Sequence, residues 1–285
     1  MATQAFIFAL TTSFIYMLMA VGLTLIYGIL HILNLAHGEL YMVAANVTFF
    51  LLHDLGFNLS TAAVISIIIV CLMAIVIEKG LLWPLRDSFL RVVLGIVGVQ
   101  LVLMGSVLLI FGKYAEKYVS FPIAGNLQIL GTPVSYHRLT IIGIAGVLMT
   151  GLYLFLKFSK HGQAMYALEQ NSEGAALQGI NVARIRLLAM GIAGVLAAVA
   201  GIAAGTLTTI THTMGGIPLI YGLTIVLLGG IGSVPGCIIG AFIIGFIETY
   251  LSIYTDIHIT SMVIFMILIL ILYFRPGGLL GHELK

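Results

Sequence analysis

The sequence predicts an all-α polytopic membrane protein forming a single transmembrane domain over residues 1–285, and three observations carry the prediction. Hydrophobic residues make up 61% of the chain and charged residues 8%. The mean hydropathy of +1.20 lies outside the range of soluble domains. Uncharged apolar runs recur along the whole chain, at 5–29, 36–52, 59–77, 91–111, 138–157, 186–210, 217–230, 236–251 and 259–274. At roughly 20 apolar residues per crossing, there is room for about eight or nine spans, one of them short or re-entrant, and for no large soluble domain. Finally, the basic residues are distributed unevenly between the loops.

Taken in order, the first run follows "MATQAFIFAL", which lacks the basic segment and small-residue cleavage site of a secretion signal and reads as a span. Alternating the loops between two sides puts Lys79, Arg86, Arg91, Lys157, Lys160, Arg184, Arg186, Arg275 and Lys285 on one side. The other side receives only Lys113, Lys117 and Arg138. This asymmetry assigns the first side, with the C-terminus, to the cytoplasm and leaves the N-terminus outside. The outward segment 112–137, with Pro122, Gly125, Gly131 and Pro133 among β-prone residues, reads as a small extracytoplasmic loop or hairpin.

Helix packing is written into "MGIAGVLAAVAGIAAG" (190–205), whose Gly191, Gly194, Gly201 and Gly205 permit close approach in lipid. The run 217–230 would rise only about 21 Å, short of a ~30 Å hydrocarbon core. It reads as a short span or as a re-entrant half-helix paired with 236–251. "GLTLIYG" (22–28) recurs as "GLTIVLLG" (222–229), each followed by a glycine-punctuated break, "NLAHG" and "GSVPG". Helices interrupted at matching positions point to a transport path, because unpaired backbone is tolerated at membrane depth only where it lines a cavity. A chance recurrence in a glycine-rich chain is the competing explanation.

Catalytic machinery is not in view. No phosphate-binding loop occurs, Gly112-Lys113 being followed by tyrosine; no HExxH or GxSxG pattern occurs. The expectation is a non-enzyme with no catalytic residue, metal or cofactor. The net charge of +2 implies no nucleic-acid partner, and Cys71 and Cys237 read as core residues and not as a disulfide. Among polar residues in apolar runs, His37, Gly38 and Glu39 are candidates for a substrate path or gate, with His37 or His31 able to share the Glu39 proton. The alternative is an interfacial Glu39 favoured by a helix N-terminus. Gly229, Gly230 and Gly232 in the second break complete the candidate path, while Glu248 reads either way and His212 reads as a surface loop residue.

The polar stretch "KHGQAMYALEQNSEGAALQGINVARIR" (160–186), within a cytoplasmic loop at 158–185, codes for two short helices. Ser172 is placed to cap the second, Gly179 to stop it, and Asn181 to cap the following span. Too few cations flank its apolar face for a helix lying in the headgroups, so docking of a partner protein is favoured.

At this point a resemblance emerges. "EGAALQG" (173–179) is similar to the E-A-A-x-x-x-G loop of importer permeases driven by ATP-binding-cassette subunits. With "LNLAHGELYM", "EKGLLWPLR", "NSEGAALQGINVARIR", "GGIGSVPGCIIGA" and "FRPGGLLG", the chain resembles the high-affinity branched-chain amino acid (LivH-like) permeases over nearly its whole length. Lys79, Trp83 and "GQAMYA" (162–167) depart from that pattern. The resemblance implies a type II importer-like permease in the bacterial inner membrane, paired with a second permease, similar or identical. It further implies two cytoplasmic ATPase subunits docking on Ser172, Glu173, Ala175, Ala176, Gly179 and Ile180, and a soluble substrate-binding protein outside. The cargo would be branched-chain or hydrophobic amino acids or related small molecules. A self-contained channel or secondary transporter for a small neutral solute is the rival reading.

Overall fold

The computed structural model describes residues 2–112, 119, 125–129, 132–274 and 277–280. Lys113, Lys117, Arg275, Lys285 and the His282-Glu283 pair lie outside the described residues. Every apolar run becomes a helix: α1 (Ala2–Leu30), α2 (His37–His53), α3 (Leu59–Ile77), α5 (Phe89–Phe111), α6 (Tyr136–Phe158), α9 (Val182–Gly205), α10 (Gly216–Gly229), α11 (Val234–Tyr254) and α12 (Ile257–Phe274). Between α3 and α5 lie a π-helical turn (Glu78–Leu82) and a one-turn α4 (Trp83–Leu85); the 160–186 stretch supplies α7 (Lys160–Gln170) and α8 (Ser172–Leu177). Among the described residues, six helices are long and apolar enough to cross a membrane. Gly216–Gly229 is a shorter apolar helix, as is Ile259–Ile271 within α12. Between α5 and α6 lies an antiparallel hairpin, β1 (Asn126–Ile129) with β2 (Thr132–Ser135), in the register Asn126↔Ser135 and Ile129↔Thr132.

Helix α1 is the central post. It packs on α11, α9, α10 and α6, while α9 also carries α2 and α3. The close contacts use small residues, as expected where lipid offers little drive for helices to associate. Gly201 of α9 lies against the Tyr41 carbonyl of α2, and Gly205 against Ala45; Gly194 faces Val70 and Ala74 of α3. On the far side, Gly245 of α11 packs on Ser13 of α1, and the buried Cys237 shares a 2.7 Å hydrogen bond with Thr24. Both cysteines are free thiols. α5, α3 and α6 turn most of their aliphatic side chains outward, Leu94, Leu101, Leu109, Ile68, Leu72 and Val147 among them.

Side-chain caps fix where helices begin. Asn58 accepts from Thr61 N, Ser135 from His137 N, Ser233 from Gly236 N and Asn181 from Arg184 N. The two ends of the bundle are tied by different contacts. At one end, Glu78 pairs with Arg186 at 2.7 Å, Glu169 reaches Gly28 and Gly232, and the 277–280 segment bonds back to Leu228 and Gly229. At the other, Val119 N donates to the Gly205 carbonyl, and the Arg138 guanidinium lies 3.7 Å over the Phe8 ring.

Candidate functional site: an interior junction and a surface helix pair

The stretch Asn34 to Glu39 lies much deeper than its place after α1 suggests. The His37 imidazole packs on Gly22, so tightly that a Cβ there would lie 2.7 Å from Nε2. Gly22 is eight residues before the end of α1, about 12 Å up the helix. Residues 31–36 therefore fold back along α1 before α2 starts. Gly22 also faces the Ala193 carbonyl, eleven residues into α9 and so about 16 Å from that helix's start, near the middle of a ~30 Å core.

Asn34 builds this break. Its Oδ1 accepts from Ala36 N at 3.1 Å, its carbonyl accepts from His37 N at 3.1 Å, and its amide faces the Met190 sulfur at 4.0 Å. Meanwhile segment 206–215 leads back inward from the end of α9, and Gly215 meets the Gly38 carbonyl backbone to backbone. The N-termini of α2 and α10 thus face each other inside the bundle. Each carries the positive partial charge of a helix start, and Pro218 in the first turn of α10 removes one unpaired N–H from that interior.

His37 is fully buried and directed at the Met19 carbonyl, yet neither ring nitrogen makes a hydrogen bond of good geometry. Glu39 lies in the first turn of α2, buried, facing Gln100 of α5, with Oε2 unpartnered. His31 is exposed at φ 55° and stands beside Tyr27, not Glu39. Glu39 does sit at a helix N-terminus, as one sequence reading had it, but in the interior and not at an interface. Nearby aromatic hydroxyls that the sequence did not single out extend the polar patch. Tyr16 packs edge-on against Tyr221 of α10 at 5.4 Å, and the Tyr221 hydroxyl shares a 2.9 Å hydrogen bond with Ser261 of α12.

Gly229, Gly230 and Gly232 do not join His37. They lie at the opposite end of α10, 13 residues and about 20 Å from Gly216. Gly229 packs backbone to backbone on Gly236, and Gly230 (φ 99°) and Gly232 (φ 84°) adopt a conformation that side chains disfavour. Their neighbour is α7: Glu169 Oε1 rests on Gly232, where any Cβ would collide with it, and its carboxyl also fills the space left by Gly28.

The 160–186 stretch folds as the two short helices expected. Ser159 caps α7, accepting from Gly162 N at 2.9 Å. The cap of α8 is Asn171, accepting from Gly174 N at 2.8 Å; Ser172, the expected cap, is instead the first helical residue. The two residues have the same cap chemistry, and the extended backbone of Asn171 (φ −159°) decides between them. Gly179 ends the helix at φ 83°. Ser172, Glu173, Ala176 and Gly179 are exposed, Ile180 is half-buried, and Ala175 points into its own chain. Leu177 is 90% exposed. On the inner face of α7, Met165 and Leu168 are buried, and the Tyr166 hydroxyl is held above its ordinary pKa by partial burial and by the nearby Glu169 charge.

A family model described as "Branched-chain amino acid transport system / permease component" matches residues 5–272. The permease protein BraD of a high-affinity branched-chain amino acid transport system in Pseudomonas aeruginosa is 32% identical, over 98% of this chain and 95% of its own. Its counterpart LivH of Escherichia coli is 30% identical, over 79% of this chain and 78% of its own. The permease protein LsrC of the autoinducer 2 import system in Yersinia enterocolitica is 28% identical, over 83% of this chain and 65% of its own. No solved structure matches. With a model spanning nearly the whole chain and BraD aligned nearly end to end, this multi-pass membrane protein belongs to the family of branched-chain amino acid transport permease components.

Proposed function

We propose that this chain is the membrane-spanning subunit of an ATP-driven importer. It moves branched-chain or other hydrophobic amino acids, or related small solutes, into the cell by alternating access. The observation that carries the proposal is the docking surface: a short helix, α8, capped at one end by Asn171 and stopped at the other by Gly179, with Leu177 turned fully outward. An apolar side chain so exposed, at the membrane end richest in cations, fits the groove of a partner protein. Two cytoplasmic ATPase subunits would dock here, one on each of two paired permeases, through Ser172, Glu173, Ala176, Leu177 and Gly179. Ala175 and Ile180 seat the helix on its own chain.

In this reading the charge-rich end faces the cytoplasm, the N-terminus lies outside, and the bundle has nine membrane helices, of which α2 and α10 start in the interior, in a type II importer arrangement. α10 is the transmission rod. One end carries Gly232, which touches Glu169 of the docking loop; the other begins at Gly215, against Gly38 and beside His37. Movement of α7 by ATP binding in the partners would tilt α10 and reshape the interior junction. Tightly packed backbone contacts favour two discrete arrangements over continuous deformation. A binding protein outside would deliver the substrate.

The test is co-purification of the permease with its ATPase subunits, together with ATP hydrolysis in liposomes. Leu177→Glu combined with Ala176→Glu should abolish association and stimulated hydrolysis while leaving the permease folded. Full association and stimulation in that variant would refute the docking surface.

A further inference from the structure

We propose that the outward groove between α3 and α5 is a binding site for one anionic phospholipid from the membrane leaflet at the charge-rich end. The groove encloses about 760 Å³ and is lined almost wholly by aliphatic residues, among them Leu72, Met73, Val76, Val99 and Val102. Its floor is a notch. Gly98 lines it, and a Cβ built on Gly98 would meet nothing within 4 Å. Gly95, one turn earlier, has the opposite role: it brings α5 against Leu81 and Leu85 and so closes one end of the groove.

Length and charge favour a lipid over a helix. On α3 and the π-helical turn the lining runs from Ile69 to Leu81, twelve residues and about 18 Å. A single leaflet is about 15 Å deep, half of a ~30 Å core, whereas a partner helix would need a groove running the full span. At the end nearest the loop, Arg91 precedes Gly95 by four residues and Val99 by eight, which places it on the groove face of α5. Lys79 lies between the lining residues Ile77 and Leu81. Both cations are exposed, and neither forms an ion pair among the described residues. The local carboxylates are engaged elsewhere, Glu78 with Arg186 at 2.7 Å and Asp87 with Arg86 at 3.9 Å. An apolar slot one leaflet deep under two free cations is complementary to an acyl chain beneath an anionic headgroup.

The test is native mass spectrometry of the purified permease with its partner subunits, titrated with phosphatidylglycerol or phosphatidylcholine of identical acyl chains. The native protein should retain one phosphatidylglycerol, with a clear preference over phosphatidylcholine. Gly98→Leu extends a side chain into the notch from a Cβ that meets no atom within 4 Å, and should remove both adducts while the assembly stays intact. Arg91→Gln with Lys79→Gln leaves the groove untouched and should erase the headgroup preference, about fivefold for each cation. Equal retention of the two lipids by the native protein would overturn the proposal, as would undiminished retention in Gly98→Leu. Dissociation of the two permeases in Gly98→Leu, with lipid retention unchanged, would also overturn it and assign the groove to a partner helix.

Discussion

The interior junction and the surface helix pair are both interruptions of an apolar chain, built on opposite principles. At the junction, Gly38 and Gly215 touch through their backbones and Gly22 is filled by an imidazole, so no atom can be added. On the surface, a Cβ at Gly179 would meet nothing, and Leu177 touches little of its own chain. The junction keeps its polar groups buried without full hydrogen bonding, a costly state that a membrane protein maintains where solute or motion needs it. The surface pair satisfies its backbone with side-chain caps and leaves its apolar contact open. In the proposed function, one region rearranges and the other is gripped.

Substitutions should separate the two regions by size of effect. The largest falls at the junction: Gly38→Val or Gly215→Val drives a side chain into a facing backbone carbonyl that cannot swing aside, so the folded permease should be lost. The measurement is the yield of monodisperse protein after detergent extraction. Next is the ion pair that ties the start of α9 to the turn after α3. Glu78 is 1% and Arg186 9% exposed, so Arg186→Leu strands a buried carboxylate and should cost about 3–5 kcal/mol. Thermal unfolding should show Glu78→Leu/Arg186→Leu recovering most of that loss; a double variant as unstable as the single would contradict the pairing.

Gly22→Ala sharpens the contrast at an intermediate level. The His37 ring must shift to admit the methyl group, so substrate uptake should fall several-fold more than stability, which overpacking lowers by about 1–3 kcal/mol. The smallest effect belongs to the surface. Asn171→Ala removes the cap of α8 and should cost about 1 kcal/mol, a shift of about 2–4 °C in the unfolding midpoint. Its mark should instead be weaker ATPase binding.

The bundle was legible in the sequence because lipid imposes a simple rule: an uncharged run long enough to span becomes a helix, with its backbone satisfied internally. The caps at Asn181 and Gly179 followed from local chemistry. Depth was not legible. Nothing in "NLAHGEL" states that residues 31–36 fold back on α1, since that depends on Gly22 and Ala193, distant in the chain. For the same reason the sequence did not reveal that Gly229, Gly230 and Gly232, assigned with His37 to a candidate path, lie at the other end of α10 beside α7. The outward turn of Leu177 depends on Ala175 being the residue that seats α8, and either could have done so from the sequence alone.

The claim that most needs testing is that α10 links the docking loop to the junction. Ile217 is exposed beside Gly216, at the junction end of the rod. In a Cys71→Ala/Cys237→Ser background, Ile217→Cys in the reconstituted importer should react with a membrane-impermeant thiol reagent from one face without nucleotide. With ATP trapped in the partner subunits it should react from the other face, and Leu177→Glu should remove the switch. Labelling of Ile217→Cys that is the same with and without trapped nucleotide would contradict the account.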